Sequence, residues 1–561
     1  MEDKNKFDRA KKNFEDGIRF FVKKKYQEAE NSFCEALLNA PESSPTLENL
    51  AKVYLTINNL EKAEKTLKFL VSLNKKNDEV GYDLLLNLYI KQNRYFDLQK
   101  LNDLAWDKKK INKFQYLSNK LFYPRIFTSL DEIKKIREYF CNQINQMLDD
   151  QNLPTLNINE KLLKPANFEL LFDGNDNFNL SKKLVNLYNK IYPQVKNISS
   201  AKKNKNDKIR IGFISEFFTD HSIMKLYEGI IYKINKEIFE VFVFHSNITK
   251  NGFRKKNIEE SVVVYNYENI DLPKNFDEKV RKIKDKSLDI LFYTDIHLST
   301  NLYYLTLIRL ANIQITSIGH SDTTGNPKID YFISSKLLET EGYEKRYHEK
   351  VLLSDYLPVY YYKPKVYYKL SKNDLKKKNL YFCPQNLIKI LPDFDNVFKQ
   401  ILDKDNKAEI ILIKDRSEIF NKLIFDRIKN TVNSKIERIK FINRLTPPEF
   451  INFCGISSVI LSTFSVGSGN TFYDSMYYGT PTITKPGSRP HNRIAAGGYE
   501  QMKIENPPVV YNFDDYIEKS IEIANLDNYD LKMHLKYQAE KYLFENDEAV
   551  RDLEKILISV V

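Results

Sequence analysis

Residues Gly467–Gly487, GSGNTFYDSMYYGTPTITKPG, combine the residue types that bind a diphosphate. Gly, Ser, Asn and Thr form a loop that runs into a short expected helix. A helix N-terminus carries unpaired N–H groups and the positive end of the peptide dipole, so it attracts phosphate. Asp474 falls on the first turn of that helix. An acid a few residues past a phosphate loop can accept from a ribose hydroxyl, as in dinucleotide folds. Gly479-Thr480-Pro481 and the β-branched run Thr482–Thr484 follow. The stretch reads as a nucleoside-diphosphate cradle. An ordinary strand–loop–helix connection, with Gly and Asn serving the turn, uses the same residues.

Four other stretches place reactive side chains just past expected strands. In Ile209–Ser222, IRIGFISEFFTDHS, the strand ends in a loop carrying Asp220 and His221. A His there serves as a base near neutral pH, as a hydrogen-bond donor, or only as a loop residue. DILFYTDIH (Asp289–His297) and IQITSIGHSDTTGNPKIDY (Ile313–Tyr331) put His297 and His320 at the same level, open to the same cleft. Asp322-Thr323-Thr324-Gly325 is also a plain turn. LYFCPQNLIKILP (Leu380–Pro392) sets Gln385, Asn386 and Lys389 after a strand. An ammonium is a compact point charge able to neutralise a diphosphate, although a lone Lys past a strand is more often a surface residue. His491, Asn492 and Arg493 follow the cradle.

The elements that must hold these residues alternate in type from Lys208 onward. Strands are expected at Ile209–Ile214, Val241–His245, Asp289–Tyr293 and Ile313–Ile318, with helices at Met224–Ile234 and Phe276–Lys286. After a break at Ser371–Lys378, strands recur at Leu380–Cys383, Ala408–Lys414, Ile439–Ile442, Val459–Ser462 and Pro481–Thr484. Alternation of this kind predicts parallel sheets covered by helices. Two such domains in series predict a ligand cleft at the C-terminal ends of their strands.

The N-terminal part repeats. Gly17, Phe20, Tyr26, Ala29, Phe33, Ala36 and Pro41 form one unit; Ala51, Tyr54, Leu60, Ala63, Leu67 and Leu70 form the next; Leu86, Tyr89, Tyr95 and Leu98 form a third. A period of about 34 residues with this pattern is that of tetratricopeptide repeats, stacked helix pairs whose small residues permit close approach. Residues 106–205 are expected to be helical with breaks, including a loop at Asn152–Asn159 and an amphipathic helix at Leu180–Tyr192. The polar stretch Ser199–Asp207 is the expected domain boundary.

The chain has 561 residues, 42% hydrophobic and 13% aromatic, which supplies real cores and predicts several domains. Its net charge of +12 is spread among many acids, which argues against a nucleic-acid stripe. The four cysteines show neither metal spacing nor a disulfide framework. The charged opening residues lack a signal-peptide core, and no stretch reaches the roughly 18 apolar residues of a membrane span. A cytoplasmic protein is expected.

Taken in order, these stretches resemble the catalytic region of the O-GlcNAc transferase/SPINDLY-like glycosyltransferases, over about residues 165–545, preceded by repeats as in that family. The resemblance implies an α-helical tetratricopeptide repeat region (1–105), a helical linker region (106–205) and a GT-B fold. The latter comprises two Rossmann-like domains, 206–372 and 373–561, the second binding the nucleotide-sugar and ending in closing helices. It implies inverting transfer of a sugar from a UDP-sugar, GlcNAc before glucose, to a protein side chain. No metal and no cofactor is implied; the UDP-sugar is a co-substrate, and the repeats hold a polypeptide acceptor. Carried over by motif, His221 is the active-site His and Lys389 the diphosphate Lys. Asn386 lies near the nucleotide, Thr471 on the phosphate loop, Asp474 on the ribose and Arg493 in the following helix. His297 matches the His of the bacterial Gly-His-Thr stretch. Gly469-Asn470-Thr471 and Gly319-His320-Ser321 look more like the bacterial adhesin-modifying N-glucosyltransferases. Phe450 stands where a His or similar residue often packs near uracil. These departures leave the sugar, and an O- or N-linked acceptor, open. The alternatives are an inactive repeat scaffold, or a transferase acting on a glycan or small molecule.

Overall fold

The computed structural model describes residues 2–75, 78–197, 207–219, 221–245, 267–366 and 379–561. The expected breaks at 199–206 and 371–378, and Asp220, lie outside the described residues. The chain forms two compact units, Met1–Pro124 and Arg125–Val561.

The first unit is a row of helix pairs: Glu2–Val22 with Tyr26–Asn39, Ser44–Thr56 with Leu60–Ser72, and Glu79–Lys91 with Tyr95–Asp107, then Lys113–Lys120. The repeat positions explain the packing. Ala29, Phe33, Ala51, Ala63 and Leu67 are fully buried in one core. At Gly17 a Cβ would come within 2.6 Å of the Phe33 ring, so any side chain would push the first pair apart. Within each pair, the turn between the helices uses a left-handed residue, Lys24, Asn58 and Asn93, at the repeat spacing.

The second unit holds two all-parallel sheets. The first contains β1 (Ile209–Ile214), β2 (Phe239–His245), β3 (Tyr267–Asp271), β4 (Ile290–Tyr293), β5 (Ile313–Ser317), β6 (Tyr331–Ser335) and β7 (Lys350–Ser354), ordered β3-β2-β1-β4-β5-β6-β7. The second contains β8 (Asn379–Cys383), β9 (Ala408–Ile413), β10 (Ile439–Ile442), β11 (Val459–Leu461) and β12 (Thr482–Ile483), ordered β10-β9-β8-β11-β12. Each sheet reverses its winding at one point, between β1 and β4 in the first and between β8 and β11 in the second. A crevice opens at such a point beyond the carboxyl ends of the strands. The loops carrying His221, His297, Lys389 and Asn470 leave these four strands.

Strands β3, β6 and β7 were not among the expected elements. They occupy the edge regions of the first sheet, where partly exposed positions such as Tyr331 and Lys350 shorten the apolar run that marks a buried strand.

Residues 125–197 are built onto both lobes. Tyr304 donates to the Leu163 carbonyl at 3.0 Å, and Leu171 and Phe172 lie in the second lobe's core. Helix Asp547–Ser559 follows the second lobe in sequence but packs on the first. Its Val550, Leu553 and Leu557 share a core with Ile211, Val241 and Ile290. Its Asp552 accepts from Ser354 Oγ at 2.6 Å, and its Glu554 from the Asn235 amide at 2.6 Å.

Candidate active site

The loop after β8 turns at Leu387–Lys389, capped by Asn386, whose side chain accepts from the Ile388 amide at 3.2 Å. The turn directs the Lys389 ammonium back over the strand end. It donates to Gln385 Oε1 at 3.0 Å and to the Gly467 carbonyl at 3.2 Å. Among the described residues no carboxylate pairs with it, and burial pushes its ammonium down to about 8. Gln385 is the hub between the two loops. Its amide donates to Ser468 Oγ at 2.7 Å and to Thr471 Oγ1 at 3.2 Å. Lys389 and the cradle are thus one hydrogen-bonded assembly, with Gln385 as the member that motif reasoning left without a role.

Phe450, on helix Pro447–Ile456, packs against Phe382 with ring centroids 5.9 Å apart. It walls a cleft of about 210 Å³ whose other sides include Asn386, Leu387, Lys414 and Arg444. The cleft adjoins the Lys389 turn, sharing Leu387 with it. Arg493 donates to the Gly487 carbonyl at 2.9 Å and closes the loop after the cradle.

The first lobe brings His221 to the opposite side. It caps helix Ser222–Lys233, its ring stacks on Phe217 at 4.5 Å, and its Nδ1 accepts from the Ile223 amide at 3.3 Å. With Nδ1 accepting, the neutral ring carries its proton on Nε2 and is a donor there. Asn470 reaches the same turn, its Nδ2 3.4 Å from the Ser222 carbonyl. Asp474 is held from the first lobe as well. Lys225 lies 3.0 Å from Oδ2, and the Tyr361 hydroxyl donates to Oδ1 at 2.8 Å.

His297 and His320 meet, with Nδ1 atoms 2.7 Å apart and rings at 89°. Burial holds both neutral, driving His297 down to about 3 and His320 well below the ordinary range. A neutral imidazole carries one proton, so an Nδ1–Nδ1 hydrogen bond leaves one Nε2 bare and the other protonated. Both Nε2 atoms are buried without a protein partner among the described residues. His491 joins them from the second lobe by bonding the Ser321 backbone, and burial likewise lowers it to about 3. Close packing fixes this layer: a Cβ on Gly319 would lie 1.8 Å from the Thr294 carbonyl oxygen.

The motif-derived residues therefore lie on strand-end loops, at helix starts or on the helix walling the cleft, except Asp474, which sits one turn later than expected because the helix already begins at Asn470. Lys225, Tyr361 and Gln385 complete the arrangement. Among the described residues no group of three or more His, Cys, Asp or Glu is arranged to hold a metal ion, and no helix is long and apolar enough to cross a membrane.

Residues 134–368 match the family model described as glycosyl transferase family 41. The chain is 23% identical over 332 residues to the probable UDP-N-acetylglucosamine–peptide N-acetylglucosaminyltransferase SEC of Arabidopsis thaliana, covering 56% of this chain and 33% of that protein. It is 25% identical over 391 residues to the probable enzyme of the same description, SPINDLY, of Solanum lycopersicum, covering 66% and 40%. It thus spans a third to two fifths of the length of these relatives. A mutant of the O-GlcNAc transferase of Thermobaculum terrenum superposes with a TM-score of 0.64 at 14% identity, over 99% of this chain and 97% of that one. The family match and these relatives bear out the resemblance to the O-GlcNAc transferase/SPINDLY-like glycosyltransferases. The superposition bears out the fold: helical repeats followed by a GT-B pair of lobes. The second lobe lies beyond the family match and is covered by the superposition.

Proposed function

We propose that this protein transfers a sugar, GlcNAc before glucose, from a UDP-sugar to a protein side chain. The observation that carries the reading is Lys389: a cation set between two strand-end loops, bonded among the described residues to neutral oxygens, beside a Gly-Ser-Asn-Thr cradle whose Asn470 reaches the turn of His221. Such a cation lacks a structural counter-charge and suits a ligand that brings its own negative charge. In this mechanism uracil occupies the cleft walled by Phe450, and the ribose meets Asp474. The diphosphate lies between Lys389 and the amides near Asn470 and Thr471. As the bond to the anomeric carbon breaks, charge builds on the β-phosphate and the ammonium stabilises it in place. The acceptor attacks from the opposite face, oriented by the Nε2–H of His221; its new bond to the anomeric carbon replaces the bond to the departing β-phosphate oxygen, its proton passes to solvent, and the configuration inverts. The neutral pair His297–His320 offers one donor and one acceptor, a match for sugar hydroxyls. The relatives' names, which specify UDP-N-acetylglucosamine and peptide, support this donor and acceptor class. The helical repeats hold the polypeptide, by analogy with other repeat stacks.

The test is incubation of purified protein and host lysate with a panel of UDP-sugars, read by intact mass. An added N-acetylhexosamine is the expected result; an added hexose assigns glucose. Absence of transfer, hydrolysis and UDP binding together overturns the proposal in favour of a scaffold.

Linkage makes a second prediction. Lys389 in the free protein loses its proton near pH 8, and a bound diphosphate favours the charged form. UDP binding should therefore take up protons above about pH 8, and affinity should fall as pH rises, by up to about tenfold per unit. Calorimetry in buffers of different ionisation enthalpy at pH 8.5 reads the uptake. Affinity that stays level from pH 7 to 9.5, with no uptake, removes Lys389 from the diphosphate.

A further inference from the structure

We infer that Lys225 of the first lobe is a positioning residue for the donor nucleotide, acting through Asp474. The inference rests on the proposed contact between Asp474 and the ribose. His221 and Lys225 are four residues apart on helix Ser222–Lys233 and so share one face. That face meets helix Asn470–Met476, where Asn470 at its start lies against Ser222 and Asp474, one turn on, against Lys225.

The carboxylate is buried, and its surroundings come from the other lobe. Lys225 Nζ is 3.1 Å from Oδ1 and 3.0 Å from Oδ2, and the Tyr361 hydroxyl is 2.8 Å from Oδ1. Tyr361 belongs to the segment leaving the first sheet, stacks on Tyr473 at 4.5 Å, and has Lys225 5.7 Å from its ring centre. A carboxylate has about four acceptor positions. The three bonds occupy two on Oδ1 and one on Oδ2, so one remains, on Oδ2, with its direction set. A buried carboxylate stripped of its cation loses the partner that fixes its orientation. Lys225 therefore keeps Asp474 aimed, and the nucleotide site of the second lobe is complete only with a residue of the first.

Uridine and UDP are titrated by ligand-observed NMR into wild-type protein, Lys225→Met, Lys225→Gln, Lys225→Arg, Asp474→Asn and the Lys225→Met/Asp474→Asn double variant. Melting curves establish that each is folded, and Lys225→Gln stands in if Lys225→Met is not. The expected result is a loss of about tenfold for both ligands alike in Lys225→Met. Lys225→Arg keeps the charge and stays within about threefold. In the Asp474→Asn background, adding Lys225→Met changes nothing further. In steady-state transfer the loss falls on the donor KM. A loss confined to UDP overturns the inference in favour of direct phosphate contact. A loss that persists in Asp474→Asn, or binding that tightens, overturns it too. Wild-type protein that binds neither ligand overturns the ribose assignment itself, and that is read before any variant is examined.

Discussion

Replacement of Lys389 by alanine is expected to lower transfer by about a thousandfold while leaving the protein folded. The size follows from what the ammonium does. It sits where leaving-group charge appears, in partial desolvation, held by Gln385 and Gly467, so it needs no rearrangement as the charge develops. The intact fold follows from the same burial. A lysine whose folded pKa lies near 8 rather than 10.5 disfavours the folded state below pH 8, because the unfolded chain binds the proton more readily. Its removal should leave the melting midpoint level or slightly higher. Lys389→Arg should not restore activity, since a planar fork does not replace a point charge between these two oxygens. Single-turnover transfer beside a thermal melt measures both effects. Activity within about tenfold of wild type would take Lys389 out of the leaving-group site.

Arg427→Met is expected to destabilise the second unit by about 3–5 kcal/mol and to impair transfer from a distance. Arg427 is buried beneath the Lys389 turn. It binds Asp395 through Nε at 2.7 Å and Nη2 at 2.9 Å, and donates to the carbonyls of Ile390 and Phe127, each at 2.7 Å. Its loss leaves Asp395 buried without a counter-charge and frees the carbonyl next to Lys389. Lys cannot reproduce the fork, so Arg427→Lys should recover little. Arg427→Met with Asp395→Leu removes both charges and should regain much of the stability. Denaturant melts of the three variants provide the measurement. A loss under about 1 kcal/mol in Arg427→Met would mean the pair does not brace the turn.

The parts of this site legible in sequence were those encoded locally. Ile209–Ile214 and Ile439–Ile442 are short Ile/Phe-rich runs, each broken by one basic residue and bounded by polar ones, and both are strands with those bounds. The Gly469-Asn470-Thr471 loop and Asp474 lie within one turn of each other, so their spacing alone set them on one short helix. What was not legible depends on the chain meeting itself. Lys225 and Asp474 are 249 residues apart, and nothing near Lys225 distinguishes it from a solvated helix lysine. Gln385 was visible as a polar residue past a strand, but its part in joining two loops needs Ser468 and Thr471 brought to it. His221 was legible as a candidate base or donor. Only the Ile223 amide on its Nδ1 separates the two.

The helix Asp547–Ser559 sets an order on assembly. The first sheet begins at Ile209, yet Val550, Leu553 and Leu557, which close its core, leave the ribosome more than 300 residues later. In the interval the whole second lobe is made. A growing chain therefore carries an unsealed apolar face while it synthesises the later lobe, and such faces invite aggregation. The earlier lobe closes only when the returning helix docks, a checkpoint that withholds the finished cleft until both halves exist.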